Sequence, residues 1–197
     1  MAPSGDIVAT GAGAAGGKAA EVLVWRISTQ EVLARLGGVH RHAVTALKFS
    51  PSGRKLLTVG QDKEHTLVVY DWANQSIFAT TATGTGRVCD AAWKNEGEFM
   101  TVSTNYTQFF KMNGKNVSVK RGSARTNDGI LQQDLCCTYA FKGTICLTGN
   151  ESGELFEWDD NARLRRSHKG HSAAVQQIKE FVVDGKESAS VGAEVNT

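Results

Sequence analysis

Four aromatic residues set the possibilities for this chain. Trp25, Tyr70, Phe110 and Trp158 each lie at the end of a short strand-like run, and they recur 45, 40 and 48 residues apart. Around them lie further runs of the same kind, among them VTALKFS (44–50), KLLTVG (55–60), FMTVS (99–103) and TICLTG (144–149). These runs are rich in β-branched and aromatic residues and are separated by turn residues, which is the pattern of strands in antiparallel sheets. VQQIKEF (175–181) could be read as helix in isolation, but its place in the repeat makes it a strand. A period of about 40 residues holding four short strands is one small sheet, and such a sheet cannot bury its faces without stacked neighbours.

Radial stacking of four-stranded sheets is the β-propeller solution. The expected fold is therefore all-β, a WD40-type propeller read as a partial disc of about four four-stranded antiparallel blades. Residues 1–41 hold the end of the first visible blade, 42–83 the second, 84–130 the third and 131–171 the fourth, and 172–197 begin a further one. Seven blades need about 280 residues at about 40 each, so the remaining blades are expected from the same or a neighbouring chain.

Local signatures follow the WD40 order. His40 precedes Val44 by four residues, Phe49-Ser50-Pro51-Ser52-Gly53 follows, then Thr58, Gly60, Asp62 and Tyr70-Asp71. Gly170-His171 opens another repeat and Trp158-Asp159 is a literal WD pair. A buried imidazole needs partners and a buried carboxylate must be paired. His40, Thr58, Asp62 and Tyr70, with His171 in the later repeat, are therefore expected to form structural hydrogen-bond sets. The same types could be misread as a hydroxyl–His–Asp triad, but their regular place in a repeat makes them structural. In the blade holding Trp158, Asn150 and Ser152 stand where an Asp is expected, so that blade is expected to lean on apolar packing.

Composition narrows the function. Formal net charge is +2, from 22 basic and 20 acidic residues, which argues against a dedicated nucleic-acid surface. No run of 18 apolar residues offers a membrane helix. The four cysteines, Cys89, Cys136, Cys137 and Cys146, form no C-x-x-C pair and read as core thiols in a reducing compartment, with no metal site. The glycine-rich stretch 11–17 contains neither GxGxxG nor a P-loop and precedes a strand rather than a helix, so no nucleotide cofactor is expected. No catalytic residue set stands outside the repeat.

The chain resembles the echinoderm microtubule-associated protein-like family. The similarity rests on DIVATGAG, AEVLVWRISTQEVLARLG, HAVTALKFSPSGRKLLTVGQDKEHTLVVYDW, FMTVSTNYTQFFKMNG with VSVKRG, and TICLTGNESGELFEWDD, across roughly residues 6–178. It includes two extra residues after Asp62 and the doubled ending Tyr70-Asp71-Trp72. Val39 and Tyr70 depart from the usual Gly and Trp of the repeat. The resemblance implies a non-catalytic scaffold associated with tubulin, microtubules or other cytoskeletal proteins, in the cytoplasm, on the cytoskeleton or in a ciliary axoneme. A generic protein–protein scaffold outside the cytoskeleton is the alternative.

Two basic groups are candidate partner-binding residues. Lys111, Lys115, Lys120, Arg121 and Arg125 gather around one outer hairpin, and Arg163, Arg165, Arg166 and Lys169 around the next. They would attract an acidic protein surface in a salt-sensitive way. The loops at 84–86 and 126–129 are further contact points.

Overall fold

A computed structural model describes residues 1–16, 18–122, 133–183 and 186–193, with side chains up to residue 180. Arg125 and the loop at 126–129 lie outside the described residues.

The described residues form seventeen strands in five antiparallel sheets. The first sheet has three strands, β1 (Ile7–Gly11), β2 (Val22–Arg26) and β3 (Val32–Leu36), in the order β1-β2-β3. The second runs β4 (Val44–Phe49), β5 (Lys55–Gly60), β6 (Thr66–Asp71) and β7 (Ser76–Ala82). The third holds β8 (Val88–Trp93), β9 (Glu98–Ser103), β10 (Thr107–Asn113) and β11 (Asn116–Gly122). The fourth holds β12 (Asp134–Ala140), β13 (Ile145–Asn150), β14 (Glu154–Trp158) and β15 (Leu164–Lys169). A final pair, β16 (Val175–Val183) and β17 (Lys186–Ala193), forms the fifth. Each sheet is a meander of sequence neighbours, as expected where turns of a few residues join consecutive strands.

Burial grades across each sheet. In β5, five of six positions are buried, whereas all six residues of the outer strand β15 are exposed. A strand buried on both faces reads as a continuous apolar run, and KLLTVG does so. β15, with sequence LRRSHK, has no such run and was not legible as a strand from sequence.

Two compact units divide the chain. The first comprises residues 1–88, 95–97 and 112–118, and the second residues 89–94, 98–111 and 119–197. In the first, Val22, Val24 and Leu36 of one sheet pack with Leu56, Val68 and Tyr70 of the next. In the second, Met100 and Val102 pack with Cys137, Cys146, Phe156 and Trp158, and Cys136 with Val175 and Ile178. Each cluster joins the faces of two successive sheets, the packing that a stacked-blade fold requires.

Candidate protein-binding surface

The buried polar residues come first, because they decide whether the propeller holds a reaction centre or a brace. Nε2 of His40 lies 2.6 Å from Oγ1 of Thr58, on β5, and both residues are buried. Gly60 makes room for the imidazole, since a Cβ there would lie 2.3 Å from His40 Nδ1. Burial holds the His40 pKa below its ordinary value, against the opposing pull of the Asp62 charge. The ring is therefore neutral at pH 7.

Asp62 and Tyr70 do not join this pair. The Asp62 carboxylate accepts the backbone N–H of Thr66 at 2.9 Å and of Glu64 at 3.3 Å, closing the turn into β6. His40 Nδ1, on the side a triad carboxylate would occupy, has no hydrogen-bond partner. Tyr70 lies in the apolar cluster of the first unit, and burial raises its hydroxyl pKa. The four-membered set expected from sequence is thus a His–Thr pair beside a separate Asp turn. The extra residues after Asp62 carry the carboxylate into that turn, where backbone amides satisfy it. Thr58 is fully buried, so no substrate reaches its hydroxyl. The arrangement is a brace and not a catalytic triad.

The fourth sheet corrects the expectation of a blade held chiefly by apolar packing. The Trp158 indole N–H donates to Thr148 Oγ1 at 3.0 Å. Beside this pair the buried Asp134 carboxyl accepts a short hydrogen bond from the Thr107 hydroxyl at 2.5 Å through Oδ2, while its Oδ1 is buried without a partner. Burial pushes the Asp134 carboxyl up to about 6, although both threonines pull it down. Asn150 performs the turn task of Asp62, its Oδ1 accepting the N–H groups of Ser152 and Glu154 at 3.0 and 2.9 Å. His171 is half-buried, and its backbone N–H donates to Gly153 O at 3.0 Å. Its side chain takes no part in the Trp158–Thr148 pair.

The third sheet keeps the threonine without partners. Thr101 stands opposite Gln108 across β9 and β10, and Thr101 Oγ1 and Gln108 Oε1 are both buried and unpaired. Phe110, at the position of Tyr70 and Trp158, has no donor to offer.

The candidate binding residues lie outside these braces. On β10 and β11, Lys111 pairs with Glu98 at 3.1 Å, and Arg121 sits 4.6 Å above the Tyr106 ring. Lys120 reaches Asn161 Oδ1 at 3.4 Å. Lys115 is exposed in the β10–β11 turn. On β15, Arg165 pairs with Glu157 at 3.2 Å and Lys169 donates to Ser152 O at 2.7 Å. Arg163 lies just before β15, and its backbone N–H, donating to the Asp159 carboxylate at 2.9 Å, lowers the pKa of Asp159 with help from its charge. Arg166 is exposed. The Lys120–Asn161 contact brings the end of β11 beside the β14–β15 turn, so within the second unit Lys120 neighbours the Arg163 group.

Two surface hollows lie in the first unit. One, of about 490 Å³, is lined by Val39, Arg41, His42, Asp62, Lys63 and Glu64 among others. The other, of about 450 Å³, is lined by Pro3, Ile7, Gly53, Arg54 and Trp72 among others. Among the described residues no group of three or more His, Cys, Asp or Glu is placed to hold a metal ion. The four cysteines are free thiols, three of them buried.

Comparison with known proteins agrees with this architecture. Rat echinoderm microtubule-associated protein-like 2 is 28% identical over 142 residues, 70% of this chain and 22% of the relative. The human protein of that name is 26% identical over the same shares. Elongator complex protein 2 of Schizosaccharomyces pombe is 25% identical over 128 residues, 60% of this chain and 16% of that protein. The chain thus matches about a fifth of the length of these relatives. Among solved structures, the Cps50 (Swd1) β-propeller domain of Myceliophteria thermophila superposes with a TM-score of 0.81 at 17% identity. That match covers 98% of this chain and 62% of the other, and shows the β-propeller fold. The family model described as echinoderm microtubule-associated protein first beta-propeller matches residues 1–194. The chain is a β-propeller, and it belongs to that family.

Proposed function

We propose that this propeller binds proteins through its exposed outer strands, and that its partner is an acidic assembly of the cytoskeleton, with the microtubule as the specific case. The observation that carries the reading is the gathering of cations on β11 and β15 in the second unit, on strands whose residues are almost all exposed. Exposed charges of one sign attract an oppositely charged surface over a Debye length of about 8 Å in physiological salt. The names of the curated relatives supply the polymer. Under this reading the protein resides in the cytoplasm on the cytoskeleton, an axoneme included.

A second reading keeps the scaffold and changes the assembly. The likeness to Elongator complex protein 2 supports a protein-binding scaffold in another complex. Co-sedimentation with microtubules across a salt series separates the two. Pelleting at low salt that fades as salt rises, and that is weakened by Lys120→Glu with Arg121→Glu, supports the cytoskeletal reading. A chain folded by circular dichroism that stays in the supernatant at low salt defeats it and leaves the general scaffold.

A further inference from the structure

We propose that the free edge of the fourth sheet, at residues 166–169 of β15, docks an acidic extended peptide by strand addition. The proposal rests on the protein-binding reading above and names the chemistry of the partner and how it is held.

Among the described residues β15 is the outer strand of its sheet and pairs on one side only, with β14. The pairing is regular at Glu157↔Arg166, Phe156↔Ser167, Leu155↔His168 and Glu154↔Lys169. A register shift follows between Glu157 and Trp158, where Trp158 meets Leu164 and leaves Arg165 as the extra residue. A bulge breaks the ladder, so strand addition is confined to the regular stretch 166–169. Along it, alternate backbone N–H and C=O groups point away from the sheet and form a template for another strand.

The edges differ in what they present. Ala34 and Leu36 are buried on β3, and Ala79 on β7. On β11 the cations are engaged, Lys120 with Asn161 and Arg121 with the Tyr106 ring. All of β15 is exposed. Arg165 and Lys169 are held by Glu157 and Ser152. That leaves Arg166 and His168, whose side chains have no described partner. They are two residues apart and so project from the same face of the strand. Glu157, the cross-strand neighbour of Arg166, is already engaged by Arg165 at 3.2 Å.

The spacing selects the ligand. Side chains at i and i+2 of a strand stand roughly 7 Å apart. A peptide with an acid at every second residue presents carboxylates at that spacing when it pairs with β15. Basic side chains on an edge repel basic strands and make pairing with neutral ones cost the desolvation of an unpaired charge, which is how exposed edges avoid indiscriminate pairing. Here the Arg166 charge favours an acidic strand, the His168 ring offers a polar partner two residues on, and backbone pairing supplies the hold. A nucleic acid brings the charge without the ladder of N–H and C=O groups.

The test uses the whole chain and fluorescence anisotropy with a labelled peptide of about ten residues alternating Glu and Thr. A control peptide has the same sequence with alternate backbone nitrogens methylated, which retains the charge and removes the pairing. We expect the first peptide to bind at low salt and the methylated one to bind about tenfold more weakly. The double variant Arg166→Glu with His168→Glu should lose at least tenfold, and Lys120→Glu with Arg121→Glu should change binding less than about threefold. The inference is overturned by equal affinity for the two peptides, by no effect of the β15 variant, or by an oligonucleotide of equal charge displacing the peptide stoichiometrically. Microtubule pelleting of the same variants keeps the two readings apart. A chain that pellets but ignores the peptide sinks the β15 site alone. A chain that binds the peptide but never pellets sinks the microtubule partner and leaves the site standing.

Discussion

The sheets β4–β7 and β12–β15 solve one problem with opposite chemistry. Each buries a threonine at the fourth position of its second strand, Thr58 on β5 and Thr148 on β13. In the β4–β7 sheet the partner is an imidazole, His40, and the strand aromatic, Tyr70, contributes only packing. In the β12–β15 sheet the partner is an indole, Trp158, with the buried Asp134 carboxyl close by and bonded to Thr107. A buried group is destabilised in its charged form. The first brace is thus intact when its base is neutral and the second is strongest when its acid is neutral. One favours high pH and the other low pH. The fold requires a satisfied hydroxyl at this position and leaves open which group satisfies it.

The largest effect should come from removing the imidazole. His40→Ala deletes a buried ring and strips Thr58 of its 2.6 Å partner. A cavity, plus a buried hydroxyl left only with its longer 3.5 Å bond to Val68 O, should cost roughly 2–4 kcal/mol. The pH dependence has a defined sign. With the folded pKa below the ordinary 6.5, the unfolded chain binds more protons as pH drops through that value. The brace's contribution is present above pH 6.5 and declines as pH falls below it. Urea denaturation of wild type and variant at several pH values tests this. A gap between them that stays constant from neutral to acid pH would break the assignment of a neutral imidazole.

Asp134→Asn should act in the opposite direction. A carboxyl moved from 3.8 to about 6 disfavours its ionised folded state by roughly 3 kcal/mol at neutral pH. Between those two values the folded state binds more protons than the unfolded. The stability conferred by the neutral acid is therefore full below about pH 4, is lost as pH rises to about 6, and stays lost above. The amide cannot ionise, so this slope should disappear, and the variant should gain up to that amount at neutral pH. A variant less stable than wild type at pH 7 would show that the charged carboxylate itself holds Thr107.

Much of this architecture is legible in sequence. Apolar runs such as KLLTVG and FMTVS are buried on both faces, so hydrophobicity alone announces them. The aromatic spacing reads as blades because each sheet repeats the same layering. β15 escapes because LRRSHK lies wholly in water and its place is set by pairing with β14. Asp134 escapes because it stands at the strand position of Val44, where the pattern calls for an apolar residue and no motif marks a carboxyl. Asp62 shows the converse, since its motif position is right but its loop carries it to the Thr66 and Glu64 amides. Sequence pattern reports burial well and reports which polar groups meet poorly, because that depends on loop lengths of a residue or two.

The third sheet offers a sharper comparison. Thr101, on β9, holds the same strand position as Thr58 and Thr148 but its hydroxyl has no partner. Thr101→Val should therefore stabilise the fold by about 1 kcal/mol, since it removes an unsatisfied buried hydroxyl with little change of shape. The same change at Thr58 or Thr148 should destabilise by about 1–2 kcal/mol. Three single variants compared by chemical denaturation decide it. If Thr101→Val destabilises like the other two, the hydroxyl is satisfied by bound water and the third sheet has a brace of its own.

The smallest effects separate the aromatics. Trp158→Phe keeps most of the ring and deletes the N–H that reaches Thr148 at 3.0 Å. It should cost about 1–2 kcal/mol from the lost bond and the vacated volume. Tyr70→Phe deletes a hydroxyl that takes no part in the His40–Thr58 pair and should change stability by less than about 0.5 kcal/mol. Thermal unfolding of the two variants against wild type measures the contrast. The tyrosine ring then counts as packing, whereas the indole counts as packing and donor together. A Tyr70→Phe loss as large as that of Trp158→Phe would mean that the hydroxyl completes the histidine brace, and that the two sheets differ less than their hydrogen bonds indicate.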